Sequence, residues 1–322
     1  MILHIIIPNY NGCRFLPACL TSIYNQTFRD FKITLIDNGS DDGSLAFVHE
    51  HFPAVHTITL SNNVGFAEAC NLGICSASAP YVMLLNNDTV LEPHCIQNMM
   101  HVIRHSANIF SVGANILTMD APHEIDSTGD YYSIFGYAFC RSQGLAPIRH
   151  QTGPVFTNCA CAAIYRTALL KKTGLLDRRF FAYLEDVDLG MRARLLGYQN
   201  LHCADAIVYH YGSGTTTTSE KYSSFKVYYS ARNNILLRAK NLSILQRLLH
   251  TPFFMTGVLL KYIYFYHLQL HKEYKHGLID GFRLSHQFYK TEKISFASRL
   301  KTEFWIWYGS FLYILQYLKR KL

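Results

Sequence analysis

The 322-residue sequence lacks the signatures of several common enzyme classes. It contains no GxxxxGK[ST] and no GxGxxG segment, so neither a P-loop nucleotide hydrolase nor a dinucleotide oxidoreductase is indicated. Its nine cysteines form no CxxC pair, and Cys159 and Cys161 have a spacing that suits neither a zinc knuckle nor a thioredoxin-like site. We therefore expect buried free thiols in a reducing compartment.

A charged leader and long apolar runs are also missing. Residues 1–8 are apolar apart from His4, but they are too few for a signal peptide or a membrane span. Residues 252–270 and 304–318 fall short of the roughly 18 to 20 uninterrupted apolar residues that a confident span requires. We expect a cytoplasmic protein that associates peripherally with the inner face of the cytoplasmic membrane.

Charge is distributed unevenly along the chain. Residues 1–220 contain 13 Lys and Arg against 18 Asp and Glu, whereas residues 221–322 contain 17 against 4. The basic part is interleaved with apolar and aromatic runs, which favours a membrane surface over nucleic acid as its partner. An ordinary helical cap or a dimer surface is the alternative for this part of the chain.

Short apolar runs alternate with helical patterns in the first half of the chain. The predicted strands are residues 3–7, 33–36, 55–60, 81–85 and 109–112. This pattern predicts an α/β fold with a mostly parallel sheet, which binds ligands beyond the carboxyl ends of its strands. Residues 118–154 are interpreted as an irregular insertion, and the chain beyond residue 222 as helical.

The segments that follow the predicted strands are rich in Asn, Asp and Gly. They comprise residues 8–12, 37–44, 62–66 and 86–89. Asp88 could offer its carboxylate to a hard cation such as Mg²⁺ or Mn²⁺, or it could only end a strand and cap the next helix. Asp37 has the same two interpretations, because its side chain could simply stabilise a turn.

Three carboxylates lie within four residues at Glu185, Asp186 and Asp188. Acids at a helix start are favoured by the helix dipole, yet their mutual repulsion is costly unless a cation or a function offsets it. Alternatively, Asp186 and Asp188 only cap the helix and pair with Arg192 or Arg194.

Two cationic candidates follow later in the chain. His210 ends a short apolar run before residues 212–214, where it could complete a metal shell with Asp88 or be structural. Arg232 could contact a phosphate or lie on a solvated helix face.

Taken in order, these motifs resemble family 2 glycosyltransferases, especially the bacterial rhamnosyltransferase-like branch. The resemblance covers about residues 3–241. It depends on several motifs in the right order, namely Pro8-Asn-Tyr-Asn-Gly12, Asp37-Asn-Gly-Ser40, Asn63-Val-Gly-Phe-Ala67 with Asn71, Leu84-Leu-Asn-Asn-Asp-Thr89 and Phe181-Ala-Tyr-Leu-Glu-Asp-Val-Asp-Leu189 with Arg192.

The resemblance implies a GT-A fold, with a nucleotide-sugar catalytic domain over residues 1–241 and a helical, basic, membrane-associating region over residues 242–322. Asp88 would be the metal-binding end of a DxD-type motif, assisted by His210, and Asp186 would be the general base, supported by Glu185 and Asp188. Asn86 replaces the first Asp of a literal DxD motif. The residues matched to donor binding are Pro8, Asn9, Tyr10, Asp37, Asn63, Gly65, Asn71, Asn87 and Arg232.

The implied reaction is an inverting transfer of a sugar from a dTDP- or UDP-sugar to a hydroxyl of a glycan or lipid-linked acceptor in surface polysaccharide synthesis. A divalent cation, Mg²⁺ or Mn²⁺, is the implied cofactor. The alternatives are a sugar nucleotidyltransferase, which would be expected to have a basic loop at residues 8–12, and an inactive nucleotide-sugar-binding membrane scaffold. No nucleic-acid partner is expected.

Overall fold

The computed structural model describes residues 1–120, 123–148, 150–212, 222–288 and 294–319. The loop predicted after His210 begins at Gly212, and its remaining residues lie outside the described part of the chain. The basic residues Arg320 and Lys321 lie outside it as well.

The first part of the chain alternates strands with helices, as predicted. Its elements are β1 (Leu3–Asn9), α1 (Leu16–Tyr24), β2 (Phe31–Asp37), α2 (Ser44–His51), β3 (His56–Thr59), α3 (Phe66–Cys75) and β4 (Tyr81–Leu85). Leu3 is in register with Phe31 of β2 and with Tyr81 of β4, and both pairings are parallel. Ile5 and Ile7 pack into one apolar cluster and Ile6 into another, so both faces of the sheet are covered.

The second part adds further strands and helices. Its elements are β5 (Thr89–Leu91), α4 (Cys95–Arg104), β6 (Ile109–Thr118), β7 (Ile125–Ser127), β8 (Asp130–Tyr132), β9 (Ala138–Cys140), β10 (Gly153–Val155), β11 (Ala162–Arg166), α5 (Thr167–Thr173), α6 (Glu185–Leu195) and β12 (Gln199–His210). A single 3₁₀ turn, Arg178–Phe180, precedes α6.

One sheet runs through the molecule in the strand order β10-β12-β6-β11-β4-β1-β2-β3. From β3 to β4 the strands are parallel, whereas β11 runs antiparallel to both β4 and β6. The predicted α/β class, with a central sheet flanked by helices, is confirmed. The antiparallel entry of β11 brings residues 159–161 to the end of the sheet where β4 ends.

The segment 118–154 was predicted to be irregular, and the structure corrects this in part, because short strands interrupt its described residues. β7 pairs with β6, β8 pairs with β9, and β10 pairs with β12. The strands β7, β8, β9 and β10 have three residues each, too few for an alternating apolar pattern to be visible in the sequence.

The predicted helical C-terminal part forms α7 (Ser224–Asn241), α8 (Ile244–His267), α9 (His271–Ser285) and α10 (Phe296–Lys319). Ser243 and Gln246 cap each other reciprocally at the start of α8, which explains the break after α7. Ile306 of α10 is buried in the same cluster as Tyr131 and Leu236. None of the described helices has the combination of length and hydropathy that crossing a bilayer requires.

Candidate active site

Hydrogen bonds join the ends of β1, β2 and β4. Asn9 Nδ2 donates to Asp37 Oδ1 over 3.1 Å, and Asn87 Nδ2 donates to Asn9 Oδ1 over 2.6 Å. A Cβ atom at Gly12 would lie 2.0 Å from Asn87 Nδ2, so only glycine permits this approach. Three of the predicted donor-binding segments are therefore in contact.

The remaining residues of the first motif lie beside these bonds. Pro8 is in register with Ile36 at the end of β1, and Tyr10 is half-buried directly after the strand. The second oxygen of Asp37 accepts from the amide of Ser40 over 3.2 Å. The Asp37 carboxylate thus both shapes the turn after β2 and lies at the end of the sheet.

Asn63 and Gly65 form the next loop. Asn63 Oδ1 accepts from Asn38 Nδ2 at 3.0 Å and from the Gly65 amide at 2.9 Å. Asn71 uses its amide for the backbone of Leu176, donating over 2.8 Å and accepting over 3.1 Å. The predicted donor contact of Asn71 gains no support from this arrangement.

Asp88 and His210 are adjacent, as the metal prediction requires. His210 Nε2 lies 3.2 Å from Asp88 Oδ1, and Nδ1 lies 2.7 Å from Asp126 Oδ2. The β5–β12 pairing brings them together, because it places Thr89 opposite His210. Burial opposes protonation of His210, yet the Cys161 thiol and the hydrogen bonds to the two carboxylates raise the pKa of its imidazole well above the ordinary value.

The donor atoms at Asp88 and His210 fit a divalent cation. A carboxylate oxygen and an imidazole nitrogen are both ligands of Mn²⁺, and the Asp126 carboxylate on the other ring nitrogen fixes the imidazole orientation as metal sites commonly do. The described residues hold another ligand-type group, Asp130, Cys159 and Asp186, whose ligand atoms lie within 4.8 Å of one another. Burial raises the pKa of the Cys159 thiol well above its ordinary value, so this thiol, like the His210 imidazole, would have to give up a proton to bind a cation.

Asp186 is held next to the Asn86–Asp88 segment by one short piece of backbone. The amide of Ala160 donates to Asp186 Oδ2 over 3.0 Å, and the carbonyl of Cys161 accepts from the Asn86 amide over 2.8 Å. Burial raises the pKa of Asp186, while hydrogen bonds from the Ala160 and Val187 amides act to lower it. A carboxylate with a raised pKa in this position can accept a proton.

The neighbouring acids differ from Asp186. Glu185 is buried, and burial, followed by the charge of Asp186, raises its pKa well above the ordinary value. Asp188 is fully buried and bonds Arg192 and Lys240, each at 2.8 Å. The alternative predicted for Asp188, pairing with Arg192 at helical spacing, therefore describes its contacts, and Asp188 fastens α6 to α7.

Asp130 is a site residue that the motifs did not indicate. Its backbone pairs with Thr157, three residues before the amide that binds Asp186, and Ser127 Oγ donates to Asp130 Oδ1 over 3.1 Å. Burial, followed by the charge of Asp186, raises the pKa of Asp130. A buried carboxyl group, Asp130, thus lies beside a half-buried one, Asp186.

The turn before Asp186 has unusual backbone angles. Phe181, Tyr183 and Leu184 have φ angles of 63°, 68° and 69°, which non-glycine residues rarely adopt. Asn233 stabilises this turn, because its Nδ2 atom donates to the carbonyls of Phe180, Ala182 and Tyr183 over 2.7 to 2.9 Å.

Arg232 is buried and donates to the carbonyls of Arg179 and Phe180 over 2.8 and 2.7 Å. The alternative of a solvated helix face is wrong, because these bonds keep the side chain inside the molecule. The predicted phosphate contact of Arg232 gains no support from them. Gly65 meets the same turn, since a Cβ there would lie 2.6 Å from the Phe181 ring.

The cysteines were predicted to be both free and buried, and only the first of these holds for all of them. All nine cysteines are unpaired, as expected. Cys75 is exposed, and Cys13, Cys140 and Cys159 are half-buried, because they lie at helix ends, in loops or on a short strand rather than in the core.

Comparison with known proteins places this site in a family context. The family model described as glycosyl transferase family 2 matches residues 4–174. An uncharacterized glycosyltransferase of Nostoc sp. is 29% identical over 181 residues, which cover 55% of this chain and 54% of that protein. The N-acetylglucosaminyl-diphospho-decaprenol L-rhamnosyltransferase of Mycobacterium tuberculosis is 24% identical over 241 residues, covering 67% of this chain and 78% of that protein.

The chain therefore spans only about half the length of the Nostoc relative. Among solved structures, GalNAc-T7, crystallised with UDP, GalNAc and Mn²⁺, superimposes with a TM-score of 0.57 and 14% identity, over 78% of this chain and 54% of that chain. At such a low identity the structural match supports only a statement about the fold. This match confirms the predicted GT-A fold.

Proposed function

The chain belongs to glycosyl transferase family 2, and from this premise we propose that it is an inverting hexosyltransferase. It would move a sugar from a dTDP- or UDP-sugar to a hydroxyl of a glycan or lipid-linked acceptor in surface polysaccharide synthesis. The proposal depends on the observation that three segments meet. Asp37 is connected through Asn9 to Asn87, and Asp88 lies beside His210. Asp186 is held by the backbone that also binds Asn86.

The donor would lie across the ends of β1, β2 and β4. Asp37 would contact the nucleotide base, and the loops carrying Tyr10 and Asn63 would surround the nucleoside. Hydrogen bonds from Asn9 to Asp37 and from Asn38 to Asn63 connect these segments, which supports a preordered donor site.

Asp88 and His210 would hold a divalent cation, Mg²⁺ or Mn²⁺, against the diphosphate. When bound, such a cation stabilises the negative charge of the departing nucleotide diphosphate. Asp126 would keep the His210 ring oriented from the far side, and the short Nδ1 contact supports this role.

Asp186 would act as the general base. The acceptor O–H proton passes to the Asp186 carboxylate as the acceptor oxygen bonds to the anomeric carbon. The bond from that carbon to the diphosphate oxygen breaks on the opposite face, so the configuration inverts. The raised pKa of Asp186 brings it nearer to neutrality, which suits a base working near neutral pH.

We propose that the enzyme works in the cytoplasm at the inner face of the membrane. Unpaired cysteines throughout the described chain support a reducing compartment. The printed name of the mycobacterial relative, a transferase acting on a diphospho-decaprenol, supports a lipid-linked acceptor.

A panel of donors tests the proposal. UDP-, dTDP- and GDP-sugars are incubated with Mg²⁺ or Mn²⁺ and candidate acceptors, and release of nucleotide diphosphate is measured. Wild type is expected to turn over one nucleotide class, and Asp186→Asn to lose roughly 10²- to 10⁴-fold in rate while still binding donor, because only the base is removed.

Asp30→Asn is the matched control. Asp30 is exposed, and it precedes β2 at the end of the sheet opposite the site, where it bonds the Ile2 amide, so its activity should equal that of wild type. Absence of binding to every nucleotide sugar contradicts the proposal. Full transfer by a folded Asp186→Asn chain points to another base, and donor binding without any transfer by wild type points to an inactive scaffold. Formation of a nucleoside triphosphate and a sugar 1-phosphate on addition of pyrophosphate would identify a nucleotidyltransferase.

A further inference from the structure

Helix α8 has an apolar surface on the side away from the protein. Its buried positions are Gln246, His250, Phe254, Gly257 and Phe265. Along this helix no Lys, Arg, Asp or Glu occupies an exposed position. Its exposed large side chains are Ile244, Leu245, Leu248, Leu249, Phe253, Met255, Leu259, Leu260, Ile263, Tyr264 and Tyr266.

Helix α10 repeats this pattern. Thr302, Ile306 and Ser310 are buried against the rest of the protein, whereas Phe304 is 67% exposed. Its other exposed large side chains are Phe296, Leu300, Trp307, Tyr308, Phe311, Ile314, Leu315, Tyr317 and Leu318. Together with the exposed residues of α8, these side chains are named the apolar face.

Several polar groups lie between the two helices. Glu303 accepts from Gln246 Nε2 at 2.7 Å and lies 2.6 Å from His250 Nε2. Trp307 Nε1 also donates to Glu303, over 2.9 Å. A helix at a water-exposed surface places its charges outside and its apolar residues inside, so this arrangement is inverted.

We infer that the apolar face lies in the interfacial layer of an anionic bilayer. An apolar surface this extensive requires an apolar partner. The helices do not have the composition to cross a membrane, so they lie along it. Residues 242–322 contain 12 Lys and Arg against 4 Asp and Glu, which complements anionic lipid headgroups, and Tyr and Trp among the exposed residues suit the boundary between headgroups and acyl chains.

The same helices connect the membrane to the candidate active site. The Ser310 hydroxyl of α10 accepts from the Ile134 amide over 2.9 Å and donates to the Ile306 carbonyl of its own helix. Trp305 packs on Tyr131 with ring centroids 6.1 Å apart. Tyr131 follows Asp130, which lies beside Asp186. If the proposed function holds, membrane docking presents the Asp186 side of the site to a lipid-linked acceptor.

Vesicle flotation with the full-length protein tests the apolar face without requiring activity. Vesicles of phosphatidylcholine alone are compared with vesicles containing phosphatidylglycerol. We expect the protein to float with the anionic vesicles, less at high salt, and the double variant Leu249→Glu, Leu260→Glu to bind roughly tenfold or more weakly. Both side chains are exposed, at 62% and 59%, so the variant should fold.

Ile148→Glu is the matched control, because Ile148 is an apolar side chain exposed to 48% outside the apolar face. It should bind vesicles as wild type does. Equal flotation of the double variant and wild type overturns the inference. Sedimentation without vesicles tests whether a second copy of the chain covers the face instead. If wild type is a dimer, the double variant is a monomer and neither binds vesicles, the face is assigned to a second copy of the chain. Either result leaves the donor panel unaffected, so failure of the proposed function is recognised separately.

Discussion

Asp130 and Asp186 are the two residues whose chemistry depends most on each other. Their ligand atoms lie within 4.8 Å, both side chains have raised pKa values, and burial is the largest cause in each case. The other acidic and thiol groups near them are Glu185, Asp126, Cys140 and Cys159. A base in such surroundings loses its proton only at a higher pH than an isolated Asp.

Replacing Asp130 with Asn should therefore move the pH dependence of transfer. The proposed base Asp186 would act only when deprotonated, so kcat/KM should fall as pH drops through its pKa. Without the negative charge of Asp130 that pKa decreases, and the acidic limb of the kcat/KM profile should move to lower pH.

Unfolding of the same variant gives an independent readout. A carboxyl group whose pKa is higher in the folded than in the unfolded chain costs stability as pH rises through that interval, and the cost is absent below it. The variant Asp130→Asn should thus gain stability relative to wild type at neutral pH and not at acidic pH. An unshifted kcat/KM profile contradicts the coupling, whatever the stability change.

Part of the site could be predicted from the sequence at the residue scale. Asp37 and Asp88 follow apolar strands directly, so strand periodicity predicted that they lie at one end of the sheet, whereas the link of Asp186 to them came from the family resemblance. Asp126 and Asp130 could not be found in this way. Their position depends on the three-residue strands around them and on pairing with Thr157, far away in the sequence.

At the scale of elements, α7 and α3 together determine the shape of the turn that precedes Asp186. Asn233 of α7 bonds three carbonyls of this turn, and the Ala67 amide of α3 donates to the Phe181 carbonyl over 3.2 Å. Backbone conformations of this kind cost on the order of 1–3 kcal/mol each and persist only where surrounding contacts hold them. The sequence indicated a helix at α7, but it could not reveal that Asn233 faces inward.

Removing the Asn233 amide should relax this turn. In Asn233→Ala the three carbonyls lose their donor, and Asp186 moves from its position. We expect kcat to fall by roughly 10²-fold with KM for the donor little changed, because small displacements of a reacting group are costly. Steady-state kinetics with varied donor measures both values.

The neighbouring residue provides the control for this variant. Asn234 bonds only the Ser230 carbonyl of its own helix through Nδ2, so Asn234→Ala keeps the turn intact. Comparable loss of kcat in both variants would mean that helix stability, rather than the turn, governs the rate.

At the scale of the whole molecule, the C-terminal helices share a core with the rest. Ile306 and Leu236 are buried with Tyr131, Phe156 and Phe180 in one cluster. The domain boundary predicted at residue 241 stays a prediction. It was placed there because the family motifs end at that residue. The distribution of charge indicated two regions in the sequence, but it carried no information about shared packing.

A chain ending at residue 241 should accordingly fail to fold cooperatively. Removing α10 exposes the apolar side chains that surround Ile306, and burying a large side chain of this kind contributes roughly 1.5–3 kcal/mol. Thermal unfolding followed by circular dichroism should show a broadened or absent transition. A chain ending at residue 316, which keeps Ile306, is the control, and a sharp transition for the shorter chain would instead support an independent domain.

The backbone between Ala160 and Cys161 has a consequence for the range of substrates. The N–H that binds Asp186 and the C=O that binds Asn86 belong to adjacent residues, so covalent bond lengths set the separation between the proposed base and the segment leading to Asp88. Side-chain repacking cannot alter a distance that is set by the backbone. Relatives that accommodate larger or smaller sugars would then have to differ in the surrounding loops, while this reference length stays constant.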